Sequence, residues 1–257
     1  MTLPRRLGAA LILACVALPA CGGGDKPKDS AADPRRTTAV APANRDPEPS
    51  EDVKAVIDRV RGAVTAGSCD PVKGLMHSFY GTISDAACSS VLAQLGGFED
   101  PHGKAFGTGM AIDFRAGKAS RLMALVLDAD RTYKLDFIVD SPGGGGDDKA
   151  PTAATASAAA AVAALQSGDC DAFLRNADRR LGIGLGSDQE VCANVSDSLL
   201  RRELVQDTSI RPRLLGGTGT VAFFKLRTAP GRYYTLVALA RPVAGATRWG
   251  IVNALSA

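Results

Sequence analysis

The chain has 257 residues, with 30 Lys and Arg against 27 Asp and Glu and a formal net charge of +3. Hydrophobic residues at 46% and charged residues at 22% describe an ordinary globular protein of one or two domains. So near-neutral a chain has no electrostatic case for nucleic acid or a polyanionic partner, because both need clustered Lys and Arg. A single Trp among few aromatics argues against a sugar-binding surface paved with rings.

Arg5 and Arg6, with no acid near them, precede an apolar run over residues 7–20. That run is shorter than the ~20 residues a membrane-spanning helix needs, so residues 1–20 read as an export signal. Its end, Leu18-Pro19-Ala20-Cys21, resembles the bacterial lipobox, in which a lipid is attached to the Cys and the signal is cut just before it. The resemblance implies a lipid on Cys21 and a protein anchored on the extracytoplasmic face of the cell membrane. Cys15, the rival acceptor, has too little apolar sequence before it. Loss of the signal removes two arginines and leaves 28 basic against 27 acidic residues. Residues 21–50 are rich in Pro and mixed charge, almost without bulky apolar groups, and cannot bury enough surface to fold. They read as a tether with an end-to-end distance on the order of 30 Å.

Residues 141–151, with Gly143, Gly144, Gly145 and Gly146 in a row, divide the rest into domains at 51–140 and 152–257. No Gly-Lys-Ser or Gly-Lys-Thr follows these glycines, and Asp147-Asp148 would repel a phosphate, so the segment is a linker and not a phosphate loop. The two parts look like copies of one unit. Gly67-Ser68-Cys69-Asp70 answers Gly168-Asp169-Cys170-Asp171, and Ser84-Asp85 before Cys88 answers Ser187-Asp188 before Cys192. Gly107-Thr108-Gly109 answers Gly217-Thr218-Gly219, and Tyr133 and Trp249 open the last apolar run of each copy.

Val53, Val56, Ile57, Val60 and Val64 recur at three- and four-residue steps, which predicts a first helix with Ser50 as N-cap and Gly67 as stop. Its counterpart is the Ala-rich stretch from Thr155 to Gln166, with Val162 and Leu165 as the apolar stripe. Asp70-Pro71 predicts a second helix carrying Val72, Leu75, Met76 and Phe79 on one face. A third begins at Ser84-Asp85, or at Ser187-Asp188-Gln189-Glu190 with a capping box. The period then changes to two. Met110, Ile112 and Phe114 alternate with polar or small residues, residues 121–127 are nearly all apolar, and Tyr133, Leu135, Phe137 and Val139 alternate again. Residues 221–227, 233–240 and 248–254 repeat this pattern, and residues 207–215 could add an earlier strand. The expected fold is α+β: two tandem units, each of about three helices packed on an antiparallel sheet of three to four strands.

Helices leading into such a sheet, with Tyr133 or Trp249 opening the last strand, resemble the nuclear-transport-factor-2-like (cystatin-like cone) superfamily. Short exported members carry a Gly-Asp-Cys segment similar to Gly168-Asp169-Cys170. The resemblance implies a curved sheet and a cone-shaped interior. It implies no single function, since members include isomerases, dehydratases, ligand-binding and structural modules.

Four cysteines remain beside Cys15 and Cys21: Cys69, Cys88, Cys170 and Cys192. An even count at repeated positions in an exported chain reads as disulfides. Three pairings are open, and duplication favours Cys69 with Cys88 and Cys170 with Cys192. His77 and His102 fit no zinc spacing and no nucleophilic triad context, so neither a metal nor a cofactor is expected. His77 reads as a partly exposed helix residue and His102 as a turn residue. Asp113 and Asp136 lie opposite the bulky apolar residues and read as solvated, while Arg201, Arg202, Arg211 and Arg213 form a mild basic cluster that could touch anionic envelope material. No catalytic residue emerges. The expected function is a non-enzymatic binding or interaction module with an envelope protein as partner. The alternative is a carrier of a small apolar ligand, and an isomerase or hydrolase ranks behind both.

Overall fold

The first helix, α1 (Val53–Ala66), buries Val56, Val60 and Ala63, as its spacing predicts. Asp52, not Ser50, caps it: the Asp52 carboxylate accepts from the Ala55 N–H at 2.8 Å, while the Ser50 hydroxyl donates to the Arg131 carbonyl. Gly67 stops the helix in the left-handed region, φ 60°, where a residue without Cβ carries no penalty. Helix α2 (Cys69–Leu75) is preceded by Ser68 rather than capped by Asp70. It ends two turns after it begins because Met76 turns extended and bridges to Leu135. The helical stripe therefore breaks before Phe79, which lies 63% exposed in a single 3-10 turn at Ser78–Tyr80. Helix α3 (Asp85–Leu95) is capped by Ser84. These residues come from a computed structural model that describes 47–141, 152–178, 187–228, 232–244 and 246–256. The expected signal, Cys21, residues 21–46 of the tether and residues 142–151 of the linker lie outside the described residues.

The second half supplies α4 (Thr152–Ser167), α5 (Cys170–Asn176), α6 (Asp188–Asp197) and α7 (Leu199–Gln206). Asp169 caps α5 through the Ala172 N–H, and Ser187 and Glu190 form the predicted capping box on α6. Where one third helix was expected there are two. Ser198 is extended and its Oγ accepts from the Arg201 N–H, so it ends α6 and caps α7.

Two separate four-stranded sheets follow the helices. The first is β1 (Glu99–Phe106), β2 (Gly109–Ala116), β3 (Ala119–Leu127) and β4 (Tyr133–Asp140); the second is β5 (Arg213–Gly217), β6 (Val221–Thr228), β7 (Arg232–Val243) and β8 (Ala246–Ser256). Each is an antiparallel meander in sequence order, and among the described residues no strand of one half enters the sheet of the other. The fold class is thus α+β, with seven α-helices among the described residues. Strand β1, absent from the sequence reading, is an exposed edge whose residues Glu99 to Ala105 carry no two-residue apolar alternation.

Both faces of each sheet are covered. Toward α1, α2 and α3, the first sheet turns Met110, Ile112, Phe114, Met123, Leu125 and Leu135; toward α4 and α7, the second turns Ala222, Phe224, Leu226, Leu236, Trp249 and Ile251. The opposite faces meet each other. Phe106, Leu122, Ala124, Val126 and Phe137 share one apolar layer with Val221, Phe223, Val237, Leu239 and Leu255. Phe106 and Phe223 stack with centroids 5.9 Å apart, and the hydroxyls of Thr108 and Thr235 hydrogen-bond across the layer at 2.6 Å. This layer corrects the expectation of solvated outer faces: Asp136 is 5% exposed. Asp113 is half-buried, accepting from the Ser141 hydroxyl at 3.0 Å.

The halves repeat one device in detail. Met76 bridges in parallel to Leu135, and Ala177 to Ile251; the next N–H in each case, on His77 and Asp178, donates to that same strand residue. Two residues before each bridge point stand Tyr133 and Trp249, the equivalence read from sequence. One residue after it the strand bulges. Pairing of β4 with β3 skips Asp136, and pairing of β8 with β7 skips Val252.

Candidate functional site

The bulges create the site. In regular strands Leu135 and Asp136 would face opposite sides, with Phe137 back on the Leu135 side. The extra residue instead sends Leu135 to the helices, Phe137 to the layer between the sheets, and leaves the Asp136 side chain at the junction. There the edge strands β4 and β8 lie beside each other, since Asn253 of β8 donates its Nδ2 to Asp136 Oδ1 at 2.9 Å. The 3-10 turn brings Tyr80 to the same atom, with its hydroxyl donating at 2.5 Å, and Asn253 Nδ2 also reaches the Tyr80 oxygen at 2.9 Å.

A cavity of about 330 Å³ opens beside this trio. Met76, Ile83, Val91, Leu135, Ile138 and Val252 give it an apolar lining, and Tyr80, Ser90, Gln94, Asp136 and Asn253 supply the polar atoms. Ala87 and Ser90 of its α3 wall are exposed, so the cavity reaches the surface on that side. Among the described residues, Asp136 is the only carboxylate or cationic side chain lining it. Burial pushes the Asp136 carboxyl up to about 6, and the Tyr80 and Asn253 hydrogen bonds only partly offset this. The Tyr80 hydroxyl is pushed well above its usual range, first by burial and then by the Asp136 charge. Asp136 Oδ2 is buried without a hydrogen-bond partner.

A second cavity, of about 700 Å³, is lined by residues of α5 and α6 together with Arg248, Trp249 and Gly250. Its walls include Asp178 and Asp188, which flank residues 179–186, outside the described ones.

The other candidates fall elsewhere. His77 is not a half-exposed helix residue but is 2% exposed, at the parallel bridge. Its Nδ1 accepts from the Phe79 N–H at 3.1 Å, which places the neutral-ring proton on Nε2, 3.9 Å from Asp128 Oδ1. Burial holds the imidazole below its usual range against the pull of Asp128 and the Leu127 carbonyl. The Ser78 hydroxyl donates to Asp128 at 2.7 Å, not to the imidazole, so Ser78, His77 and Asp128 form a structural knot without an activated nucleophile. Burial works against ionisation of Asp128, but the Ser78 and Ala129 donors hold it below the carboxylate range. His102 is exposed on β1, not in a turn. Arg201, Arg202 and Arg211 donate to nearby backbone carbonyls of Ser196, Asp197, Thr208 and Ile210, while Arg213 is exposed on β5. Among the described residues no group of three or more His, Cys, Asp or Glu could hold a metal ion.

The cysteines stand at disulfide distance in the pairs Cys69 with Cys88 and Cys170 with Cys192, each with Cα atoms 5.6 Å apart. Each pair ties the start of one helix to the first turns of the next. Peptide mapping of unreduced exported protein is expected to recover both pairs. Opening the Cys69–Cys88 loop with Cys88→Ala is expected to cost about 3 kcal/mol on the chain-entropy estimate, plus packing, since Cys88 is fully buried. Recovery of Cys69 joined to Cys170 or Cys192 would contradict the pairing.

Comparison with protein-family models and with curated proteins returns no match to this chain.

Proposed function

We propose that this is a lipid-anchored extracytoplasmic protein whose folded body binds a small, mainly apolar ligand in the cavity between α3, β4 and β8. The cavity itself carries the reading. Its volume and lining, apolar with a few converging polar groups, have the character of ligand sites in general. A filled junction would have favoured a plain interaction module instead. An isomerase or hydrolase would need acid–base groups free to reach a substrate. Asp136 and Tyr80 are instead hydrogen-bonded to each other at 2.5 Å, and Ser90, Gln94 and Asn253, the other polar side chains among the described lining residues, are not acid–base groups. Toluene is expected to raise the melting temperature of the soluble body saturably, and Ala87→Trp, which fills the open wall, to abolish that shift. No shift in the wild-type protein would sink the carrier reading.

The address rests on residues 1–21, and no described helix is long and apolar enough to cross a membrane. Cys21→Ser is expected to leave the precursor uncut and unlabelled by a radiolabelled fatty acid. A mature, unlabelled and membrane-retained Cys21→Ser protein would contradict lipid anchoring.

A further inference from the structure

Taking the cavity as a ligand site, as proposed above, its polar end says what the ligand carries. Asp136 is 5% exposed, and one of its two carboxyl oxygens is fully engaged: Oδ1 accepts from both the Tyr80 hydroxyl and Asn253 Nδ2. The other, Oδ2, is buried and has no partner, although carboxylate oxygens in protein interiors are nearly always hydrogen-bonded. Among the described residues no Lys, Arg or His lines the cavity to compensate the negative charge. Burying that carboxylate costs free energy. An occupant that brings a positive charge to that carboxylate would recover more of that cost than an alcohol, which offers a hydroxyl donor without the charge, and a hydrocarbon would recover none.

We propose that the cavity takes a small apolar molecule carrying a protonated amine, with the ammonium against the Asp136 carboxylate and the hydrocarbon body against Met76, Ile83, Val91, Leu135 and Ile138. An ammonium has three hydrogens to satisfy. The carboxylate takes one of them, and Ser90 and Gln94, hydrogen-bonded to each other at 3.3 Å, are the polar side chains of the α3 wall. The site discriminates in two ways. The apolar walls reject small hydrated cations, which would lose their water shell for one carboxylate oxygen, and the unpaired carboxylate repels fatty acids and other anions.

The test is calorimetric titration of the intact soluble body at pH 7.5 with three probes of similar shape: benzylamine, benzyl alcohol and toluene. A hydrogen bond to a charged group contributes enough for benzylamine to bind at least about tenfold more tightly than either neutral probe. In Asp136→Asn that preference should collapse to about equal affinities. The wild-type comparison needs no variant, so the outcome does not depend on how well Asp136→Asn folds. Toluene binding as tightly as benzylamine, or a preference that survives Asp136→Asn, would overturn the amine assignment while leaving the cavity reading intact. No binding of any probe would overturn both.

Discussion

Phe223→Ala is expected to destabilise the folded body by about 3–5 kcal/mol, the range for truncating a large buried aromatic. Phe223 is fully buried in the layer between the sheets, stacked on Phe106, and its ring packs so closely on Gly109 that a Cβ there would lie 2.3 Å from ring carbons. Neither sheet could close over the space left, because the glycine backbone already marks the nearest approach. Urea unfolding monitored by circular dichroism measures the loss. A cost below about 1 kcal/mol would mean that the sheets do not share this layer in solution.

Raising the pH from 4 to 7 is expected to remove a stabilising contribution that comes from Asp136 alone. Its carboxyl sits at about 6 in the folded protein against 3.8 ordinarily, because burial disfavours the charge. Below the ordinary value both states hold the proton and the contribution is fully present. Between the two values the folded state keeps a proton that the unfolded chain has released, so stability falls as pH rises, until the contribution is lost above about 6. A gap of about two pKa units corresponds to about 3 kcal/mol. The groups facing this carboxyl are Tyr80 and Asn253, and Tyr80 titrates far above this window. The lowered carboxyls of Asp58, Asp128, Asp130, Glu190 and Asp207 and the lowered imidazole of His77 act in the opposite direction and cancel when wild type is compared with Asp136→Asn. The stability difference between these two proteins, followed by urea unfolding from pH 4 to 7, should therefore shift by about 2 kcal/mol against the wild type, part of the contribution being already lost at pH 4. A flat difference would place the Asp136 carboxyl in water.

Much of the fold was legible because it is governed by local periodicity. The valines of α1, the caps at Ser84 and Ser187, the change to period two, and the matched landmarks of the two halves are all properties of neighbouring residues. What escaped was set by distant ones. Strand β1 is held by its pairing with β2 and not by its own pattern. Helix α2 stops where Met76 finds Leu135, a partner 59 residues away that no spacing around Phe79 announces. Asp136 read as solvated because alternation assigns it the face opposite Leu135 and Phe137, but that face is closed by the other half of the chain. One signal was present. Strand β3 is apolar on both faces, with Leu122, Ala124 and Val126 turned away from the helices, so its neighbour β4 had to be covered on both sides as well. An acid in such a strand is buried and in need of donors. Tyr80 and Asn253, which supply them, lie 56 and 117 residues away and had no sequence signature at all.

The central claim is that a ligand enters beside Asp136, and methyl NMR during a toluene titration tests it at residue level. The predicted result is saturable shifts of the Ile83, Val91, Leu135, Ile138 and Val252 methyls, with Val56, Val60 and Val237, buried away from the cavity, left in place. Shifts spread evenly over both sets, or none in the first, would contradict it.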